Sequence, residues 1–303
     1  MIRNWPVAQE DQDGRIDSVL ANISGLSRAT CAGLIEQGRV QVNEKVVAKS
    51  HRVSFGDVIE VEFPDPEVGW QEPVAALPIV FSDSDLVVID KPAGVAAHPS
   101  AGWAGPTVTG SLEAMGHVLT AYGPVERKGI VHRLDVGTSG LMVVAKSERA
   151  YVSLKDQFRD RTVNKIYHTL VQGRLDPMSG TIDAPIDRHP NSSYRFAVLE
   201  SGRPSITHYD TLDAFAYASL LEVHLETGRT HQIRVHMSAL RHPCCGDLTY
   251  GADPKLAARI RLDRQWLHAV KLGFSHPGTH DLVEFTSEYA PELKLALEKV
   301  QDL

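Results

Sequence analysis

A stretch rich in proline and acidic residues, Pro64–Pro73, divides the 303-residue chain into two segments of very unequal length. This composition is typical of a linker and not of a packed element. We therefore predict a small module over residues 13–63, a linker over 64–75 and a large domain over 76–303. Residues 1–12 are polar and acidic, and we predict that they form an N-terminal arm.

The small module has the pattern of two helices followed by strands. Apolar residues at helical spacing indicate helices around 16–23 and 31–35, and Ser27 is placed to cap the second. Residues 40–42 and 46–47 flank a turn and predict a hairpin. Alternating apolar residues near the end of the module predict one further strand, so the module is predicted to be an αα-β unit.

The large domain mixes short strand patterns with helical ones. Strands are predicted at 78–81, 86–89, 163–171 and 221–225, and helices at 148–159 and 230–240. Hairpins with helices packed on them indicate an α+β fold, built on a mixed, largely antiparallel sheet with flanking helices.

Composition excludes several classes of protein. The N-terminus lacks the basic and apolar regions of a signal peptide, and no apolar run reaches membrane-spanning length. Three cysteines, two of them adjacent, form no disulfide framework, so we expect a reduced, cytoplasmic protein with no membrane partner. Nothing argues against a monomer.

The net charge of −7 is unevenly distributed along the chain. Residues 14–57 contain six basic and four acidic residues, a net charge of +2, which leaves −9 for the rest of the chain. The acidic excess therefore lies outside residues 14–57, and this segment remains a candidate for binding nucleic acid.

The segment 130–140 is the first candidate for chemistry. Two glycines flank a pair of hydroxyl residues ahead of the apolar run 141–145, which predicts a tight loop that enters a buried strand. Asp135 lies in this loop beside an arginine. From these residues alone it could be a structural ion pair or a catalytic carboxylate, and both readings stay open.

The string His132-Arg133-Leu134-Asp135, followed by Thr138-Ser139-Gly140, resembles the HRLDxxTSG signature of the RluA/RluD-type RNA pseudouridine synthases. Further strings that resemble this family follow in the expected order, so the resemblance spans nearly the whole chain. They are Asp90–Gly94, His98-Pro99, Lys165–Tyr167, Gly202–Pro204 with Thr207, Thr227–His236, His242-Pro243, Gly246-Asp247, Tyr250-Gly251 and Leu267–Ala269. One departure is Gly137, where family members often have an acidic residue; we expect it to affect the stability of the loop more than catalysis.

The small module resembles the S4 RNA-binding domain in three strings: Ser27-Arg28, Gly38–Asn43 and Gly56–Ile59. The resemblance implies that basic residues of the second helix and the following loop contact the RNA backbone, where they neutralise phosphates. These residues are Arg28, Arg39, Lys45 and Lys49. The alternative is a solvated basic face with no partner.

The resemblance also implies roles for the large domain. Asp135 would be the nucleophile, and Tyr167 would stack on the target base and help to remove its C5 proton. Arg229 would be the cationic partner that an ionised carboxylate needs in a closed pocket. Its position at the start of a predicted helix, where the helix dipole disfavours a cation, independently suggests a role beyond helix stability. Arg133 would fill the space left by a flipped-out uridine, and His132 would support the loop.

The implied reaction is the isomerisation of uridine to pseudouridine in structured RNA, with large-subunit ribosomal RNA as first choice and transfer RNA as second. The reaction has no net oxidation, so we expect no cofactor. We also expect no metal, because His231 and His236 are five apart and Cys244-Cys245 lacks metal-site spacing.

Two alternative functions remain. One is a non-catalytic S4-type RNA-binding or ribosome-assembly protein. The other is a hydrolase acting on nucleoside or glycosidic bonds through Asp135, although no second carboxylate is evident in the motif. A serine hydrolase is disfavoured because the segment 137–141 fails the G-x-S-x-G pattern at its last position.

Overall fold

The computed structural model describes residues 2–24, 26, 28–62, 74–100, 103–192 and 195–303. Within these residues the chain forms an N-terminal module with its own sheet and a larger domain built on a nine-stranded sheet. The predicted linker falls outside the described residues except for 74–75, as do the predicted cap Ser27 and Phe63 at the end of a predicted strand.

The N-terminal module is a four-stranded antiparallel sheet with two helices on one face. Its elements are β1 (Ile2–Pro6), α1 (Ile16–Ser24), α2 (Arg28–Glu36), β2 (Val40–Val42), β3 (Lys45–Val46) and β4 (Val58–Glu62). The strand order is β1-β4-β2-β3. Apolar residues of both helices pack against β2 and β4 in one core, so the predicted αα-β arrangement is confirmed.

Strand β1 is a correction to the predicted N-terminal arm. Residues 2–6 pair antiparallel with β4, with Ile2 opposite Glu62 and Pro6 opposite Val58. The strand lies at the edge of the sheet, where a proline is tolerated because one side of the strand needs no ladder hydrogen bonds. The polar and acidic composition that suggested an arm is therefore compatible with an edge strand.

The larger domain is organised around one mixed sheet. Its strands are β5 (Ile79–Ser82), β6 (Leu86–Lys91), β7 (Ser139–Ala145), β8 (Asn164–Gln172), β9 (Ser179–Asp183), β12 (Ile206–Ala214), β13 (Ala218–Leu225), β14 (Leu267–Ser275) and β15 (Leu282–Thr286), with β10 (Ile186–Arg188) and β11 (Phe196–Val198) forming a separate hairpin. The order is β5-β6-β7-β14-β8-β13-β12-β9, with β15 also paired to β14. Among the strand pairings that the structure describes in this sheet, β7–β14 is the only parallel one, which confirms the predicted mixed, largely antiparallel sheet.

Helices cover both faces of this sheet. They are α3 (Val108–Ala114), α4 (Glu148–Arg159), α5 (Gln232–Ala239), α6 (Pro254–Arg259) and α7 (Pro291–Gln301). Helices α3 and α5 share a core with one face, while α4, α6 and α7 pack on the other. Strand β7 is buried at all seven positions, as expected for a strand covered on both sides.

The start of β7 fixes the loop that carries Asp135. Gly140 has φ of 109°, and a Cβ there would lie 2.4 Å from the carbonyl oxygen of Ala269 on β14. Only glycine allows this approach, which brings β7 and β14 into parallel contact at residues 139–140. The loop before β7 is thereby anchored against the centre of the sheet.

Candidate active site

Asp135 lies in the loop before β7, at the edge of a central cavity. Its Oδ2 atom is 3.2 Å from Nη1 of Arg234 and 3.9 Å from Nε2 of His231. The Asp135 side chain is 14% exposed. It is therefore a largely buried carboxylate, held by a guanidinium on one side and open to the cavity on the other.

Arg234, on α5, is fixed by a second carboxylate. Its Nε and Nη2 atoms donate to the two oxygens of Asp247 at 2.6 and 3.0 Å, and the Asp247 side chain is 2% exposed. Burial disfavours the charge of Arg234, but the hydrogen bonds to Asp247 and the charges of both carboxylates raise its pKa above the usual arginine value. Arg234 therefore stays cationic, with its remaining nitrogen directed at Asp135.

The prediction that Arg229 is the cationic partner of Asp135 is corrected by this geometry. The side chain of Arg229 donates through Nε to the carbonyl oxygen of Pro204, at 3.2 Å. Arg229 precedes α5, whereas Arg234 lies within its first turn, on the side that faces the loop of Asp135. Both arginines line the central cavity, but it is Arg234 that bonds to the carboxylate.

Tyr167 lies on β8, and its ring forms part of the wall of the same cavity. The residue is 8% exposed. Burial and the nearby charge of Asp135 raise the pKa of the Tyr167 hydroxyl beyond its usual range, so the neutral phenol is the resting form. The ring can stack on an aromatic ligand, and the hydroxyl can donate a hydrogen bond beside Asp135.

His132 and Arg133 precede Asp135 and differ in their environment. Nε2 of His132 accepts a hydrogen bond from the backbone N–H of Val143, at 3.0 Å, and its ring stacks on Phe158 with centroids 4.5 Å apart. Burial lowers the pKa of His132 to about 3, so its ring is neutral. Arg133 is exposed. The neutral histidine thus anchors the loop to β7 and leaves the neighbouring arginine free to face a ligand.

Lys91, at the end of β6, joins two loops beneath the site. Its Nζ atom donates to the carbonyl oxygens of Pro92 and Val95, at 2.9 and 2.8 Å, and lies 3.4 Å from that of Val136. Burial lowers the pKa of Lys91 to about 7, against the effect of the Asp135 charge. The hydrogen bonds of Nζ tie the segment after β6 to the residue that follows Asp135.

Gln232 holds the turn that leads into α5. Its Oε1 accepts from the backbone N–H of Arg229 and from Oγ1 of Thr227, while its Nε2 donates to Ile206 and Thr207. The preceding residue, His231, has a left-handed backbone conformation with φ of 58°. This network fixes the 227–231 segment that forms one rim of the cavity.

The central cavity is open to solvent, and its volume together with the open space at its mouth is about 480 Å³. Its polar wall contains Asp135, Arg229, His231 and Arg234, and its apolar wall contains Tyr167 and neighbouring aliphatic residues. A flat, partly polar ring fits between such walls, with the carboxylate at one end. A nucleophilic or proton-transfer step by Asp135 on such a ligand is the chemistry that this arrangement can perform.

The contacts around position 137 explain why this residue is a glycine. A Cβ at position 137 would lie 2.5 Å from Oε1 and 2.8 Å from Nε2 of Gln265, which is itself buried and donates to Oγ1 of Thr138 at 3.2 Å. Arg264 also donates to the Gly137 carbonyl, at 2.9 Å. In this chain Gln265 occupies the space that a side chain at position 137 would need.

From this contact we predict that substitutions at positions 137 and 265 have coupled effects on the free energy of unfolding. Gly137→Ala should lower the free energy of unfolding by about 1–2 kcal/mol, because Gln265 must move and loses its bond to Thr138. Gln265→Ala removes the obstacle, so the double variant should lose less than the sum of the two single losses. Urea denaturation of the four proteins measures this; strict additivity would contradict the steric explanation.

Among the described residues, no group of three or more His, Cys, Asp and Glu side chains is arranged to hold a metal ion. In the same part of the chain, no helix is long and apolar enough to cross a membrane.

Comparison with protein families gives two matches. Residues 85–239 match the family described as RNA pseudouridylate synthase, and residues 14–59 match the S4 domain. The first match includes Asp135, Tyr167, Arg229 and Arg234. The second covers both helices of the N-terminal module.

Individual proteins give the same picture. An uncharacterized RNA pseudouridine synthase of Mycobacterium bovis is 56% identical over 298 residues, which is 97% of each chain. The ribosomal large subunit pseudouridine synthase D of Nitrosomonas europaea is 40% identical, over 95% of this chain and 85% of the relative. The solved structure of human RNA pseudouridylate synthase domain containing 1 is 29% identical, with a TM-score of 0.59, and covers 75% of this chain and 89% of its own.

Proposed function

Because this chain belongs to the RNA pseudouridylate synthase family, we propose that its substrate is a uridine in structured large-subunit ribosomal RNA. Members of the family are isomerases, and the relatives of Nitrosomonas europaea and Zymomonas mobilis are named ribosomal large subunit pseudouridine synthase D. Transfer RNA is the second choice. We propose further that the enzyme acts in the cytoplasm as a monomer, without a metal.

The observation that carries the proposal is the pair of Asp135 and Arg234 beside the ring of Tyr167, at one cavity. The reaction breaks the bond between C1′ and N1, turns the base and joins C1′ to C5, and the C5 proton leaves as N1 gains one. In our proposal Asp135 is the nucleophile, either at C1′ or after loss of a proton from the sugar. Tyr167 holds the base by stacking, and its hydroxyl takes part in removing the C5 proton.

The target uridine must leave the RNA stack to reach this cavity. Extruding a base costs a few kcal/mol, and the cost is smallest where the base is already unpaired. We propose that Arg133, exposed at the rim of the cavity, fills the vacated space, while His132 positions it. Arg229 shares the same rim, and we propose that it contacts the substrate and not Asp135.

The alternatives lose support for different reasons. A non-catalytic S4-type protein would have no use for a buried carboxylate held by a guanidinium at an open cavity. A glycosidic hydrolase needs a second free carboxyl group, but Asp247 is buried and both its oxygens are bonded to Arg234.

Mapping pseudouridine in total RNA from cells with and without the gene tests the proposed function. We expect at least one large-subunit ribosomal RNA position to lose pseudouridine completely, and the loss to be reversed by the wild-type gene but not by a gene that encodes Asp135→Asn. An unchanged pseudouridine map in ribosomal RNA would contradict the proposed substrate.

In the S4 module we propose that Lys45 and Lys49 contact RNA phosphates, with Arg39 beside them. Arg28 has a structural bond as well: its Nε donates to Oδ2 of the buried Asp17, at 2.9 Å, and this bond lowers the pKa of Asp17. Reversing the charge of Arg28 would therefore disturb the fold of the module and would not test RNA binding cleanly.

Lys45→Glu with Lys49→Glu is the cleaner test, since Lys45 is exposed and Lys49 has only an exposed partner, Glu36, at 3.5 Å. We expect weaker RNA binding and a smaller dependence of log Kd on log salt, by roughly 1.4 to 1.8 for two lost phosphate contacts. Fluorescence anisotropy measures this. An unchanged salt dependence would contradict the proposed contacts.

A further inference from the structure

Two clefts adjoin the central cavity at Arg133. The volume of the first cleft, counted with the open solvent at its mouth, is about 970 Å³, and its lining includes Arg161, Lys165 and Arg229. The volume of the second cleft, counted in the same way, is about 600 Å³, and its lining includes Arg127 and Lys155. Arg133 lines the central cavity and both clefts, so it stands where the three spaces meet.

The second cleft has an excess of positive charge. Among the described residues, none with a carboxylate side chain belongs to its lining. Arg127 and Lys155 are exposed, and neither forms an ion pair among the residues that the structure describes, although the charge of Glu126 also acts on His98 in the same lining. In the first cleft, by contrast, Arg161 is paired with Glu226, at 3.3 Å. For a chain with a net charge of −7, two unpaired cations beside the active site point to a polyanionic ligand.

An aromatic ring lies beside the same cleft. Tyr122 is 48% exposed, and its ring meets that of Tyr151, in the wall of the second cleft, with centroids 5.6 Å apart. Exposed aromatic rings between cations are the usual means of binding unpaired nucleotides, because the ring stacks on a base while the cations contact phosphates.

We propose that RNA leaves the central cavity in both directions, with one flank of the target nucleotide in each cleft. The flank in the second cleft is single-stranded; Arg127 and Lys155 contact its phosphates and Tyr122 stacks on one of its bases. Arg133 lies between the two flanking RNA segments, opposite the space that the flipped-out uridine leaves in the base stack. This inference rests on the proposed function only in placing the target uridine in the central cavity, and it implies an internal position in a loop, with nucleotides on both sides.

The test is RNA binding by the full chain, with a synthetic hairpin RNA that carries a uridine-containing loop as the probe. Arg127→Glu with Lys155→Glu should weaken binding at least ten-fold and lower the slope of log Kd against log salt by roughly 1.4 to 1.8. The matched control is Lys255→Glu with Lys299→Glu, the same charge change on α6 and α7, outside both clefts. It should change Kd by less than about two-fold. Tyr122→Leu should weaken binding but leave the slope unchanged, since stacking releases no counterions.

Three outcomes are informative. If the cleft variant binds RNA like the control, the second cleft holds no RNA and the proposal is overturned. If Tyr122→Leu changes nothing while the charge variant behaves as expected, the stacking part is overturned and the phosphate contacts stand. If all variants behave as expected while the wild type forms no pseudouridine in any RNA, the proposed function fails independently of this inference.

Discussion

Replacing Asp135 with asparagine should lower the single-turnover rate of pseudouridine formation by roughly 10³-fold or more, the scale seen when a catalytic group is removed. Asparagine has nearly the same shape, and its side-chain oxygen can still accept the bond from Arg234 that is 3.2 Å long in the wild type. It is not a nucleophile. The fold and RNA affinity should therefore remain close to those of the wild type, and the loss should appear in the rate alone.

Asp263→Asn is the matched control for Asp135→Asn, because Asp263 is exposed. It should leave the rate unchanged. Rates are measured with enzyme in excess of the RNA and well above the Kd of each variant, so that weaker binding is not mistaken for slower chemistry. Turnover of Asp135→Asn within about ten-fold of the wild-type rate would show that Asp135 is not the nucleophile.

Replacing Arg234 with methionine should have the second-largest effect, and it should act on both stability and rate. The change leaves Asp135 and the buried Asp247 without their shared cation, and removing one partner of a buried pair costs about 3–5 kcal/mol. Arg229→Met removes a bond to one backbone carbonyl and should cost less than about 1 kcal/mol. Urea denaturation of the two variants distinguishes the arginine that holds the site from the one at its rim.

A second substitution separates the contribution of Arg234 to the stability of the fold from its role in positioning Asp135. Asp247→Asn, added to Arg234→Met, removes the uncompensated buried charge and should recover part of the lost stability. It should not recover the rate, because Asp135 would still lack its guanidinium. If Arg229→Met proved the more destabilising of the two single variants, or if the double variant regained full activity, the assignment of Arg234 would be wrong.

Much of the fold follows from local patterns. Helix α4 begins and ends at the predicted residues 148 and 159, because its apolar face repeats at helical spacing and Ser147 caps it. Strand β7 was predicted from the apolar run 141–145. A strand that is buried on both faces needs such an uninterrupted run of apolar residues. Strand β1 was missed because pairing with β4, far along the chain, and not local propensity makes it a strand.

The site was predictable only in part. Asp135 and Tyr167 were identified through the strings that surround them, and both line the central cavity. Arg234 lay within the quoted string Thr227–His236, but the sequence did not reveal which of its two arginines faces Asp135. That choice depends on where α5 begins, and Gln232 fixes this through bonds to residues of β12. The roles of His231 and Asp247 likewise depend on contacts between distant segments.

The most direct test of the account is a structure of the Asp135→Asn enzyme bound to its RNA, and the decisive measurement is the distance from the side chain of residue 135 to the ribose of the target uridine. We predict a uridine turned out of the stack, its ribose within about 3.5 Å of residue 135 and its base against the ring of Tyr167. A uridine that stays stacked in the RNA, or one whose ribose lies well beyond contact with residue 135, would contradict the account.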